Sequence, residues 1–337
     1  ERIVVEVGGL IHGGPDASCT GQHSAMVDKR LVAAAAGVGV AALLARWATR
    51  LSETDGVVCS PLRAWLLKRR MRRWDKLIII ADFDRTVTTS FLAPGIPGAS
   101  SHGILEACKS LTPEYRDKAQ ALFDKYYPIE CSPTLTIEQK LPIMQEWYKN
   151  SHALLIQEDI TEQVIREAVK EASVRIRPGF RELMQQAKEA GIPLVVFSAG
   201  LGNVVQEVLR QRLEGGDELP VVSNWLHFGA NGKVCGFAVP LTHMFNKDGE
   251  RIIEQLGEKW EKLAQGRDCA LLLGDGLGDA TMANGLGLSS VARVGFLNEV
   301  SPAEQSKRLH KYAKAFDAVI LADGPMDWIM RVMFAAP

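Results

Sequence analysis

The chain has 337 residues, 47% of them hydrophobic, which excludes a disordered chain and allows one large domain with an insertion, or two domains, around a real core. Its 39 basic and 40 acidic side chains leave a net charge of −1, so the total gives no argument for nucleic acid as the main partner. Six cysteines (Cys19, Cys59, Cys108, Cys131, Cys235 and Cys269) form no CxxC pair, which argues against a zinc site or a disulfide framework and for a reducing compartment.

Residues 1–28 read as extended or irregular chain without chemistry. The sequence begins at Glu1 rather than Met, as a processed product or a fragment would, with a removed targeting segment upstream as one account. Leu31 to Ala45 is an unbroken Ala/Val/Gly/Leu run, and with Arg46, Trp47 and Ala48 it predicts an apolar helix over 31–48. The run reaches about 22 Å against roughly 30 Å of hydrocarbon, so a membrane helix helped by snorkelling arginines stands beside a buried Ala-rich helix and an uncleaved targeting segment. Residues 62–76 carry Arg63, Lys68, Arg69, Arg70, Arg72, Arg73 and Lys76 among Trp65, Leu66, Leu67, Met71 and Trp74. That pattern predicts a basic amphipathic helix for an anionic membrane or an acidic partner, or else a solvated helix leading into the first strand. The two segments suggest membrane contact, membership of a larger assembly, and an organellar (mitochondrial) membrane over a cytoplasmic setting.

Lys76-Leu-Ile-Ile-Ile-Ala-Asp-Phe-Asp-Arg-Thr-Val-Thr88 reads as a buried parallel strand that runs into chemistry. Asp82 and Asp84 would sit at its carboxyl end, where a cation, a shared proton or hydrogen bonds must offset their repulsion; an Asp-rich turn is the plainer reading. Phe91 to Ser101 is a Pro/Gly loop, and helical signals run from Ser101 to about Glu189. Within them Thr136 to Lys140 forms a capped helix start, Leu141 to Leu155 continues it, and Thr161 to Ala172 and Pro178 to Ala190 follow as amphipathic helices. Ile192 to Phe197 is a second buried strand closed by Ser198-Ala-Gly, with a helix from Asn203 to Arg212. Val221 to Val239 alternates about a turn at Asn231-Gly232 and predicts a hairpin. Cys269 to Leu273 is a third buried strand, and Val319 to Ala322 a late edge strand. The fold class is therefore α/β: a Rossmann-like parallel sheet with helices on both faces, an inserted helical cap and an N-terminal helical extension. The boundaries are 1–75 for the extension, 76–98 and 190–337 for the core, and 99–189 for the cap.

Three strand ends thus bring polar groups to one crevice: Asp82/Asp84/Thr86, Ser198, and Asp275 with Asp279. Lys247 lies between the second and third in sequence. Hard carboxylates suit Mg²⁺ at Asp82, Asp84 and Asp275. Asp82 could then attack phosphorus, Asp84 protonate the leaving oxygen and later deprotonate water, and Lys247 neutralise charge. Ser198 and neighbouring N–H groups would hold phosphoryl oxygens, and Asp279 would orient water or Lys247 from behind. Each piece has a plainer meaning: a helix cap for Ser198, a surface lysine for Lys247, a turn for Gly274-Asp-Gly.

The ordered set resembles the motifs of the haloacid-dehalogenase-like phosphohydrolases, and within them the cytosolic 5′-nucleotidase III (pyrimidine 5′-nucleotidase) family. The likeness runs from about Leu77 to about Asn298. It is carried by Asp82-Phe-Asp-Arg-Thr86, Tyr126-Tyr-Pro-Ile-Glu130, Glu146-Trp-Tyr-Lys-Asn-Ser-His152, Phe197-Ser-Ala-Gly200, Val222-Ser-Asn224, Phe245-Asn-Lys247 and Gly274-Asp-Gly-Leu-Gly-Asp-Ala-Thr-Met-Ala-Asn-Gly285. The resemblance implies Mg²⁺-dependent hydrolysis of a nucleoside monophosphate through an aspartyl-phosphate. It makes Asp82 the nucleophile, Asp84 the acid/base that lends a backbone oxygen to the metal, and Asp275 the third magnesium position. It also implies that Ser198 and Ala199 form the phosphate turn with Lys247 beside them. Glu130 and Ser151 would contact base or sugar, with Trp147 and His152 close by. The sequence departs from the family in the Val-Thr-Thr-Ser-Phe loop after Thr86, in Arg85 where an apolar residue is common, and in residues 1–75. Those residues support an alternative: a nucleotidase-like domain serving as a structural subunit of a membrane-associated, mitochondrial complex.

Overall fold

A computed structural model describes residues 50–130, 132 and 134–335. The apolar run expected over 31–48 lies outside the described residues; among those described, no helix is long and apolar enough to cross a membrane.

The centre of the molecule is β3 (Leu77–Ala81), five residues without an exposed side chain. It pairs in parallel with β10 (Cys269–Gly274) on one side and β6 (Leu194–Leu201) on the other, so that Ile79 faces Leu271 and Leu194. The sheet continues through β11 (Ser290–Leu297) and β12 (Ala318–Leu321) in one direction and β7 (Val221–Asn224) in the other, all parallel. Alternation along β3 explains why every position is apolar: Leu77, Ile79 and Ala81 enter one hydrophobic cluster, Ile78 and Ile80 another. Burying each isoleucine contributes about 1.5–3 kcal/mol. The first cluster lies under α1 (Pro61–Met71), α6 (Phe180–Glu189), α7 (Gly202–Arg212) and α11 (Asp327–Phe334), and the second under α8 (Gly249–Leu256) and α9 (Glu258–Ala264). Parallel strands covered on both faces leave only their ends for a ligand.

Two expectations change at the far edge. Strands β1 (Ser52–Thr54) and β2 (Val57–Cys59) belong to this sheet, and β2 pairs antiparallel with β12. Val319 to Leu321 is therefore an inner strand rather than an edge, and residues 50–75 are part of the α/β unit rather than an extension beside it. The basic helix forms as α1, capped by the Ser60 hydroxyl accepting from the Arg63 N–H, followed by a 3₁₀ turn at Trp74–Lys76. Its cations are engaged by the protein itself. Arg63 donates to Ala313 O at 2.7 Å, Arg72 to Val332 O at 3.0 Å and Lys76 to Gly266 O at 3.0 Å. Arg73 pairs with Asp268 at 3.5 Å and Arg70 with Asp317 at 4.0 Å, while Leu67 and Met71 are buried. Five of the seven basic side chains are thereby withdrawn from the anionic surface or partner expected for 62–76.

The helical insertion divides in two. α2 (Ser101–Glu106), α3 (Pro113–Glu130) and α4 (Ile137–Gln157) stand over the strand ends, whereas α5 (Glu162–Glu171) packs on α7, and Ile165, Val169, Phe180 and Leu183 join the β3 cluster. Thr136 caps α4 reciprocally, its hydroxyl accepting from the Gln139 N–H and its N–H donating to Gln139 Oε1 at 2.9 Å. The expected hairpin is β8 (Leu226–Phe228) and β9 (Val234–Phe237), turning at Gly232 with φ +73°; the residues before it went into β7 instead.

Candidate active site

The candidate aspartates grow out of strand ends. Asp82 follows β3, and its N–H donates to Leu273 O at 2.9 Å, which locks it to β10. Asp275 follows β10, and Asp279 folds back so that its Oδ2 accepts the Gly276 N–H at 2.8 Å. Gly274 permits that fold: a Cβ there would stand 2.2 Å from the Asp279 Cβ. Lys247, reaching in from the loop after β9, is buried; its Nζ donates to Asp82 Oδ1 and, at 2.7 Å, to Asp279 Oδ1. Burial pulls the ammonium down, but the two carboxylates outweigh it and hold Lys247 above the ordinary lysine value.

Asp82, Asp275 and Asp279 each offer an oxygen within 4.8 Å of the others. Three carboxylates against one ammonium leave a formal charge of −2 in a buried place. Burial pushes the Asp82 carboxyl well above the usual range against the pull of Lys247, and it pushes Asp275 up to about 7, with Asp279 adding to it. A divalent cation held by hard oxygens would relieve this cost, so the residues present fit Mg²⁺. Asp279 adds a side-chain oxygen to the expected Asp82 and Asp275, while the Asp84 carboxylate, expected to serve as acid/base with only its backbone oxygen on the metal, accepts from both the Ser101 N–H and the Ser101 hydroxyl at 2.8 Å.

Ser198 is buried at the end of the straight part of β6, and its hydroxyl accepts from the Gly200 N–H at 3.0 Å. Ala199 presents its carbonyl to Asn224 Nδ2 at 2.9 Å; the same amide bonds Thr242 O and Thr242 N at 2.8 Å. Asn224 thus ties the Ser198-Ala199 turn to the loop that delivers Lys247.

A cavity of about 320 Å³ has a wall that includes Arg85, the neighbour of Asp84, with Glu130, Trp147, Tyr148 and Ser151; Asp82, Lys247, Asp275 and Asp279 do not line it. Trp147 stacks on Tyr126 with ring centres 5.8 Å apart and 15° between planes. Burial raises the Glu130 carboxyl, opposed by Lys140 and Arg85. The structure therefore brings Glu130, Trp147 and Ser151 to one wall, as expected. His152 is not on it: this side chain is 3% exposed and stacks on Phe237 at 3.7 Å, with no partner for either ring nitrogen among the described residues.

Three supporting residues were not singled out from the sequence. Ser101 and Asn224 are described above. Arg177, fully buried, donates to Thr86 O at 2.7 Å, Gly324 O at 2.8 Å and Arg85 O, pairs with Asp323 at 3.0 Å and lies 4.2 Å over Phe296. It clamps the turn after Asp82 to the ends of β11 and β12. The Ser-Asn pair in Val222-Ser-Asn224 was a visible signal; Arg177 gave only a lone charge before Pro178-Gly179.

Comparison with known proteins gives this geometry a lineage. The pyrimidine 5′-nucleotidase (UMPH-1) family profile matches residues 86–335. The chain belongs to that family. It is 34% identical over 254 residues to the human 7-methylguanosine phosphate-specific 5′-nucleotidase, covering 75% of this chain and 82% of that protein. The Caenorhabditis elegans putative cytosolic 5′-nucleotidase 3 is 30% identical over 291 residues, 84% of this chain and 76% of its own. The crystal structure of cytosolic 5′-nucleotidase IIIB bound to cytidine superposes with a TM-score of 0.74 at 31% identity, over 83% of this chain and 92% of that one. This pyrimidine 5′-nucleotidase family member is accordingly an enzyme of the nucleotidase type.

Proposed function

We propose that this protein hydrolyses nucleoside 5′-monophosphates to nucleoside and phosphate, with Asp82 as nucleophile and Mg²⁺ held by Asp82, Asp275 and Asp279, joined by a backbone oxygen of Asp84. The observation that carries the reading is the Asp82–Lys247–Asp279 chain with Asp275 beside it, three residues of chain before Arg85, which lines a cavity shared with Glu130 and Trp147. A carboxylate oxygen of Asp82 attacks phosphorus, and the bond to O5′ breaks as that oxygen takes a proton from Asp84. Water, giving its proton to Asp84, then attacks the phosphorus of the aspartyl-phosphate and frees phosphate. Lys247 and the N–H groups beside Ser198 hold phosphoryl oxygens throughout. The cation supplies charge neutralisation at the phosphoryl oxygens. Trp147 stacks on the base, and Glu130 accepts from an exocyclic amine or ring N–H. The names of the relatives point to the first substrates to try: 7-methyl-GMP, CMP and UMP.

The test is phosphate release from those three nucleotides by the purified chain with Mg²⁺, together with uptake of beryllofluoride, a phosphate mimic, at Asp82. Turnover that vanishes in Asp82→Asn while the thermal transition persists is the expected result. No phosphate from any nucleotide and no mimic bound would sink the proposal.

A further inference from the structure

We infer that Arg85 is a specificity-determining residue that reads the sugar, its guanidinium donating hydrogen bonds to the ribose hydroxyls of the nucleotide. The inference rests on the function proposed above. Arg85 holds φ +63° and ψ 11°, the left-handed region, which costs a residue other than glycine roughly 1–2 kcal/mol. Glycine or asparagine would make this turn with less strain, so the turn does not account for an arginine. Nor do its contacts. The backbone is secured by others: its N–H donates to Thr88 Oγ1 at 2.9 Å, and its carbonyl accepts from Asn298 Nδ2 at 2.9 Å and from Arg177. The guanidinium itself has no hydrogen bond or ion pair among the described residues, and it lies on the cavity wall. A strained backbone thus carries an exposed arginine whose side chain makes no hydrogen bond or ion pair with the described residues.

Its position selects the ligand atoms. Asp84, one residue earlier, is the group assigned to O5′, so the next side chain into the cavity meets what O5′ carries, the ribose. Arg85 shares the cavity wall with Glu130, and its charge opposes the burial that raises the Glu130 and Asp275 carboxyls, which sets it between the phosphate end and the base end. Two adjacent hydroxyls are neutral acceptors that a forked donor can span. A second phosphate fits less well, because Glu106 and Glu130 share the same wall.

The experiment measures kcat/KM for CMP, 2′-deoxy-CMP, 2′,3′-dideoxy-CMP and p-nitrophenyl phosphate with the wild type, Arg85→Asn, which keeps the left-handed turn, and Arg85→Lys. The wild type is expected to favour CMP over the dideoxy nucleotide by about 10- to 100-fold, a range set by one or two good hydrogen bonds. Arg85→Asn should collapse that ratio toward one, chiefly by losing on CMP, and Arg85→Lys should keep part of it. An active wild type without ribose preference, or a preference that survives in Arg85→Asn, overturns this inference alone. So does a loss equal for CMP and p-nitrophenyl phosphate. A wild type inactive on every nucleotide overturns the inference together with the proposed function.

Discussion

His152 gives the sharpest quantitative test of the cap. Its imidazole is 3% exposed, stacked on Phe237 with planes 2° apart, and edge-on to Tyr148 at 6.0 Å, with both nitrogens unpartnered. Burial, helped by His102, lowers its pKa from 6.5 to about 3. Between those values the unfolded chain binds a proton that the folded chain refuses, so this site removes stability as pH falls. At pH 5, about 1.5 pH units below the unfolded value, the loss is about 2 kcal/mol at 1.36 kcal/mol per unit. His152→Phe keeps an aromatic ring against Phe237 and cannot take the proton. Urea unfolding of both proteins at pH 8 and pH 5 should show the difference between them moving toward the variant by about 2 kcal/mol. Burial also lowers the pKa of His102 and takes His243 to about 4, so the variant keeps some acid lability. Identical pH dependence in the two proteins would refute the buried, neutral imidazole.

Other predictions bear on the site more directly. Gly200→Ala places a Cβ 1.9 Å from Ser101 Oγ and 3.2 Å from Asp84 Oδ2, so it should displace the acid and lower kcat at least about 10-fold, a loss worth about 1.4 kcal/mol, while the urea midpoint moves little. Arg177→Gln strips half-buried Asp323 of its cation, though the Ser90 and Phe91 N–H groups still donate to it, and frees the carbonyls of Thr86 and Gly324, so it should cost about 3 kcal/mol in urea unfolding; a change below about 1 kcal/mol would refute the clamp. Chelation with EDTA should abolish phosphate release and added Mg²⁺ restore it, whereas activity persisting in EDTA would remove the cation from the scheme.

The placement of the candidate site was legible because buried parallel strands announce themselves as apolar runs, and Asp82, Ser198 and Asp275 stand where those runs stop. β2 was missed because three residues, Val57–Cys59, are too short to show a period, and without it β12 looked like an edge. The basic face of α1 reads two ways in the sequence for another reason. A helical row of arginines has the same spacing whether it meets lipid or carbonyls about 250 residues away, such as Ala313 O. The resemblance implies His152 close to the substrate, but one step along a helix from Ser151 turns about 100°, enough to carry a side chain off the cavity wall. Ser101, Asn224 and Arg177 act by bonding segments distant in sequence, which no local pattern encodes.

The antiparallel seam between β2 and β12 also has a history in time. Val58 pairs with Val319, so one side of the seam leaves the ribosome roughly 260 residues before the other. At about 5–20 residues per second, that is a wait of roughly 13–50 s, during which the apolar Val57–Cys59 strand and the Leu67 and Met71 face of α1 have no finished sheet to cover. β12 completes a pairing that β2 must wait for, and removing β12 would strand both β2 and the buried face of α1.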